Sequence, residues 1–196
     1  MLKNNTKIAL GVTPAIFAVL FAVSFIPAQS LGGSTYSDES VFGGVFTFTH
    51  YDADGNVIET WSQHNEVTNE GMECVSDFVF GTTSCTGEAV FTYLAVGTGT
   101  AAVDETDTAL GTESGTCARV QDATPAIDTG TTNQRTITIS STFSGANCEG
   151  AAFGEVGVFD ASTTGNMLAR ALISPTITLS SGDTLQIDYD IVLNNS

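Results

Sequence analysis

Near its C-terminus the chain reads TLQIDYDIVL over 184–193. Leu185, Ile187, Tyr189, Ile191 and Leu193 fall on one side of an extended backbone, and Gln186, Asp188 and Asp190 on the other. A period of two suits a strand with one wet face and one dry face, and would scatter the apolar groups around a helix. The pattern recurs at 135–143, where Ile137, Ile139 and Phe143 oppose Thr136, Thr138 and Thr142. It recurs again at Val41–His50, with Phe42, Phe46, Phe48 and His50 on one side. Antiparallel sheets with one solvated face need this alternation.

Further β-type runs occupy 57–63, 89–96, 117–124, 151–159 and 166–174, separated by DTGTTN, SGANCEG, STTGN and SSGD. DADGN (52–56) between two such runs reads as a hairpin turn. One helix is expected, capped by Thr68 or Asn69 and ended by Gly81, with Met72, Val75, Phe78 and Val79 on its apolar side. Seven or eight short strands at this spacing predict an all-β fold with one short helix, an antiparallel β-sandwich or jelly-roll-like single domain over 45–196.

Ahead of that domain, Lys3 and Lys7 precede an uncharged apolar stretch, Ile8–Pro27, and then small residues at Ala28 and Ser30. This is the layout of a secretory signal peptide over 1–30, cut near Ser30. Two other readings stand beside it: a pilin-type helix cut near Lys7, or a retained membrane anchor over 8–27. Residues 31–44 form a small, polar and flexible segment, a possible donor strand.

All 22 acidic residues lie beyond Ser30, so loss of Lys3 and Lys7 takes the formal charge from −17 to −19. The domain then holds no lysine, and its only basic side chains other than histidine are Arg119, Arg135 and Arg170. Such a chain offers no clustered cations to nucleic acid or anionic lipid, and no membrane contact is expected after signal removal. Each arginine sits in a strand of an acidic protein and is expected to form a structural ion pair, with Glu155 a candidate partner. Cys74, Cys85, Cys117 and Cys148 read as two disulfides of an exported chain. Cys74–Cys85 with Cys117–Cys148 is the expected pairing, because each bridge closes a local loop.

Motifs for chemistry are thin. The glycine-rich stretch AVGTGTAAVDETDTAL (95–110) lacks a phosphate-binding lysine, and its acids would repel an anion. Calcium is conceivable on oxygen ligands, with Asp104, Asp107 and Glu113 as candidates, though no spaced ligand set appears; otherwise the stretch is a long surface loop, and no other cofactor is expected. His50 and His64 lack a G-x-S-x-G partner. Asp188 and Asp190 belong to a polar strand face. No catalytic constellation emerges, so an enzyme is not expected.

YLAVGTGTAAVDETDTALGTE followed by ARV, and GEVGVFDASTTGNMLARALIS followed by GDTLQIDYDIVL, resemble a β-rich domain of phage tail and tail-fibre structural proteins. HNEVTNEGMECV is similar to the lead-in of that domain, and the resemblance spans roughly Tyr51 to Leu193. It implies a structural role and carries no catalytic residues over. The leader and cysteines place the module at a cell surface, and with the acidic composition they resemble secreted archaeal proteins. The resulting expectation is an extracellular structural subunit that self-assembles as a homopolymer, a filament or pilus-like array. Val41, Phe42, Val45, Phe46 and Phe48 would add as a strand to the neighbouring subunit. The alternatives are a pilin-like or anchored protein, and a monomeric adhesin module with its specificity in the 97–115 loop.

Overall fold

The computed structural model describes residues 43–81, 85, 90–129 and 134–194. The expected signal peptide and hydrophobic helix, and Val41 and Phe42 of the expected donor strand, lie outside them. Two five-stranded antiparallel sheets face each other. Sheet A has the order β2-β1-β10-β7-β6, built from β1 (Gly43–Tyr51), β2 (Val57–His64), β6 (Ala126–Asp128), β7 (Gln134–Ser144) and β10 (Thr184–Asn194). Sheet B has the order β3-β9-β8-β4-β5, from β3 (Glu66–Val67), β4 (Tyr93–Gly97), β5 (Val120–Gln121), β8 (Ala152–Phe159) and β9 (Met167–Thr178).

The alternating strands assemble as their pattern dictates. β1 pairs with β10 from Gly43↔Val192 to Tyr51↔Thr184, and β10 pairs with β7 from Thr184↔Ser144 to Asn194↔Gln134. Phe46, Phe48, Ile139, Phe143, Leu185, Ile187, Tyr189 and Ile191 all point inward and are buried. Tyr189, Phe46, Phe48 and Trp61 stack in series, with centroids 4.5, 6.2 and 5.0 Å apart. Burial pushes the Tyr189 phenol up, against the opposing effect of the Asn65 side chain beside it.

Val45, Phe46 and Phe48 are therefore not spare. β1 is paired along both edges, with β10 and with β2, inside its own chain. A strand so placed has no free edge to give a neighbour.

Helix α1 spans Asn69–Phe80, with Thr68 as N-cap accepting from Gly71 N–H and Gly81 closing the C-terminus in the left-handed region. Its buried side is not the expected one. Gly71, Cys74 and Asp77 face the protein, while Met72, Phe78 and Val79 are exposed. The reason is close backbone packing: a Cβ on Gly71 would lie 2.6 Å from the backbone of Leu168. The Cys74–Cys85 bridge then holds this side down. Val75, by contrast, does pack on the core.

A second helix, α2 (Gly145–Cys148), occupies the stretch read as a plain turn, with Ser144 as N-cap. It presents Cys148 to Cys117, so the second bridge fastens the end of β7 to the segment leading into β5.

Candidate functional site

The outer face of sheet B carries the densest polar chemistry among the described residues. Residues 98–119 leave β4 and run back across this face, and α1 begins beside them, with Asn69 N–H donating to Glu105 O at 2.7 Å. Leu110 packs with Ala95, Phe159 and Met167 in a small outer core. The stretch that reads as a free surface loop is thus a strap laid on the sheet.

A buried ion pair holds it there. Glu155 of β8 is fully buried. Its Oε1 accepts from Gly99 N–H at 3.0 Å and Thr112 N–H at 2.7 Å. Its Oε2 accepts from Gly111 N–H at 2.9 Å and from Arg170 Nε at 2.9 Å. Arg170 of β9, only 2% exposed, reaches Glu155 Oε2 again through Nη2 at 2.7 Å. Its Nη1 donates to Asp107 Oδ2 at 2.7 Å and Ala102 O at 3.3 Å, and Nη2 to Ala101 O at 3.1 Å.

Burial pushes the Glu155 carboxyl up, but the amides of Thr112 and Gly111 and the Arg170 guanidinium outweigh it and hold the group below the ordinary carboxylate range. Burial opposes the charge on Arg170 too, and Asp107 and Glu155 reverse that, raising it. So the glycine-rich strap does cradle an anion on its backbone amides, and the anion is the protein's own. Gly99 is required by the close approach: a Cβ there would lie 2.3 Å from Glu155 Oε1.

A second arginine fastens the end of the strap. Arg119 donates to both oxygens of Glu113, at 2.8 and 2.9 Å, and to Ala161 O and Thr164 O at 2.9 and 2.6 Å. Its guanidinium carbon sits 3.6 Å over the Phe159 ring.

The three calcium candidates are each engaged by protein groups, and Asp104 N–H donates to Asp107 Oδ2 at 3.0 Å in the turn the two share. Asp107 is engaged by Arg170 and Glu113 by Arg119, while Asp104 accepts from Thr106 N–H and Oγ1 at 2.9 and 2.6 Å. Among the described residues, no group of three or more His, Cys, Asp or Glu side chains is arranged to hold a metal ion. The sequence shows Glu155 as a possible arginine partner, but it does not show that the strap's amides would join it. The available hint is a lone Glu inside GEVGV, where an otherwise apolar run demands a buried partner.

The remaining polar candidates are structural. His50 is buried, not a surface residue, with Nε2 3.3 Å from Asp183 Oδ2 and Nδ1 3.9 Å from Glu59 Oε1. His64 ends β2 in solvent. Asp188 and Asp190 lie on the outer face of sheet A, accepting from Ser140 Oγ and Thr138 Oγ1. In the hairpin turn, Asp52 Oδ1 accepts from Asp54 N–H and Asn56 N–H at 2.9 and 2.8 Å. Among the described residues, no helix is long and apolar enough to cross a membrane.

Comparison with known proteins adds one relationship. The family described as Podophage GP4 fiber I protein gp80 matches residues 66–192, from β3 through nearly the whole of β10. No curated protein matches the chain.

Proposed function

Because the chain belongs to the podophage GP4 fiber I protein gp80 family, it is a tail-fibre-like structural protein, and we propose that it works as an extracellular subunit assembling with copies of itself. The observation that carries this reading is the double fastening of the strap by Glu155–Arg170 and Glu113–Arg119. The largest loop of the domain is spent on bracing sheet B, as suits a load-carrying module rather than one that recognises by loop movement. Export through the apolar segment at 8–27 would bring the module to a cell surface, where its two disulfides persist.

Negative-stain microscopy of the full chain, beside a variant lacking residues 31–42, tests this. Filaments or regular arrays of the full chain support it, and their loss in the variant would give the segment ahead of β1 the bonding role. Single compact particles in both overturn it.

A further inference from the structure

Sheets end in edges, and unpaired edges invite other strands. Among the described residues, three of the four terminal strands are stubs: β3 and β5 have 2 residues each and β6 has 3. Where they leave a longer strand uncovered, something else intervenes. β4 is flanked by the strap, through Thr98 N–H to Thr112 O and Ser114 N–H to Val96 O at 2.8 and 3.0 Å. β7 gives its Ser140 N–H to Asp122 Oδ2 at 2.9 Å. The part of β9 beyond β3 carries Pro175, which has no N–H to offer.

β2 is the exception. It is 8 residues long and ends its sheet, with β1 on one side and, among the described residues, no strand on the other. It has no proline and no lysine, and the bulge at Ile58, where His50↔Glu59 is followed by Tyr51↔Val57, guards only its first two residues, leaving a regular edge from Glu59 to His64. Val57 and Ile58 stand 57% and 54% exposed on it.

We propose that the outer edge of β2 is the contact through which two copies of this chain pair, strand against strand about a two-fold axis. The inference rests on the self-assembly proposed above and names its contact. Charge is what selects a second copy. The chain bears 22 acids, so most of its surface repels itself, yet β2 holds one, Glu59, which faces His50 on the inner side. Two-fold pairing of identical strands sets residues of like parity opposite each other. Centred on Trp61, it places Glu59 opposite the partner's Gln63 and Thr60 opposite the partner's Ser62, within the part of β2 that lies beyond the bulge at Ile58. No carboxylate then meets a carboxylate. Centring on Glu59 would oppose two acids, so that register is rejected. The regular contact is short, running from Glu59 to Gln63 on each copy, about 17 Å at ~3.4 Å per residue. Each pairing is therefore weak, and being two-fold it closes at the pair, so an array needs a second contact beside it.

Sedimentation velocity of the full chain over a hundredfold concentration range reads the pairing. Thr60→Lys with Ser62→Lys, both exposed and opposed across the proposed axis, should weaken association roughly tenfold or more while leaving the melting temperature nearly unchanged. Register is tested separately by cysteine pairing. Thr60→Cys mixed with Ser62→Cys should form an intersubunit disulfide, and neither variant alone should, because only opposed positions come within bridging distance. Assembly that survives the lysine substitutions without such cross-linking overturns the β2 contact and leaves self-assembly standing. A full chain monomeric at every concentration overturns both.

Discussion

The two sheets solve the same packing problem under different solvent conditions. Sheet A turns one face to the core and one to water. Its outer groups, such as Thr47, Thr49, Thr60, Ser62, Asp188 and Asp190, hydrogen-bond one another across strands in a loose array that water can also satisfy. Sheet B has the other sheet beneath it, and the strap and α1 above. Seven of the eight residues of β8 are buried. Water cannot satisfy a polar group in that position, so each one must be met by protein. Glu155 accordingly accepts from three backbone amides and a guanidinium, whereas Asp188 makes do with Ser140 and Gln186. A charge on sheet A is decoration that can be changed; a charge on sheet B is a fastening.

That contrast can be broken most directly at Arg170. Arg170→Met leaves Glu155 charged and unpaired in a dry site and should cost about 3–5 kcal/mol in urea unfolding. Adding Glu155→Gln should recover much of the loss, since the charge needing a partner is gone. If the single variant costs less than ~1 kcal/mol, the pair is not fastening the strap.

Next in size is Gly99→Ala, whose methyl would press on the Glu155 carboxylate; overpacking of this kind costs about 1–3 kcal/mol. Hydrogen exchange should show faster opening of residues 98–112 than of β1 and β10.

Acid titration gives a third handle. A carboxyl held below its ordinary value stabilises the fold fully above about pH 4.3, and the contribution disappears as pH falls through the lowered native value. In Glu155→Gln the acid limb of a stability–pH curve should be shallower by that one proton. An unchanged limb would mean that Glu155 is not depressed.

The smallest effect is expected on the other sheet. Asp190→Asn, on the outer face of sheet A, should shift stability by no more than about 0.5 kcal/mol.

The same contrast explains what could be read from the amino acids. Strands of sheet A announce themselves, since one wet face imposes the alternation seen at 184–193 and 135–143, and their partners and facing follow. In sheet B the runs AFGEVGVF and MLARALIS show apolar character but no facing, because both faces are dry. The strap was least legible: its glycines look like a loop's, and only the spatial neighbour Glu155, more than 40 residues on, shows why they are there. The caps of α1 mark its ends to within a residue, but its apolar spacing points to a side that the structure leaves largely in solvent. A helix seated through Gly71 and a disulfide needs no apolar stripe, so Phe78 and Val79 could point to solvent. The calcium candidates failed for a related reason. Composition shows that oxygen ligands are plentiful, but not that arginines claim two of the three.

The fate of the arginines reaches beyond packing. Enzymes of the trypsin type grip an accessible lysine or arginine side chain. Past Lys7 the chain has no lysine, and Arg119 and Arg170 have their guanidinium groups enclosed by carboxylates and carbonyls. Arg135, at the start of β7, donates to Gln134 O at 2.9 Å. A domain that locks Arg119 and Arg170 inside its own framework withdraws both from such a protease.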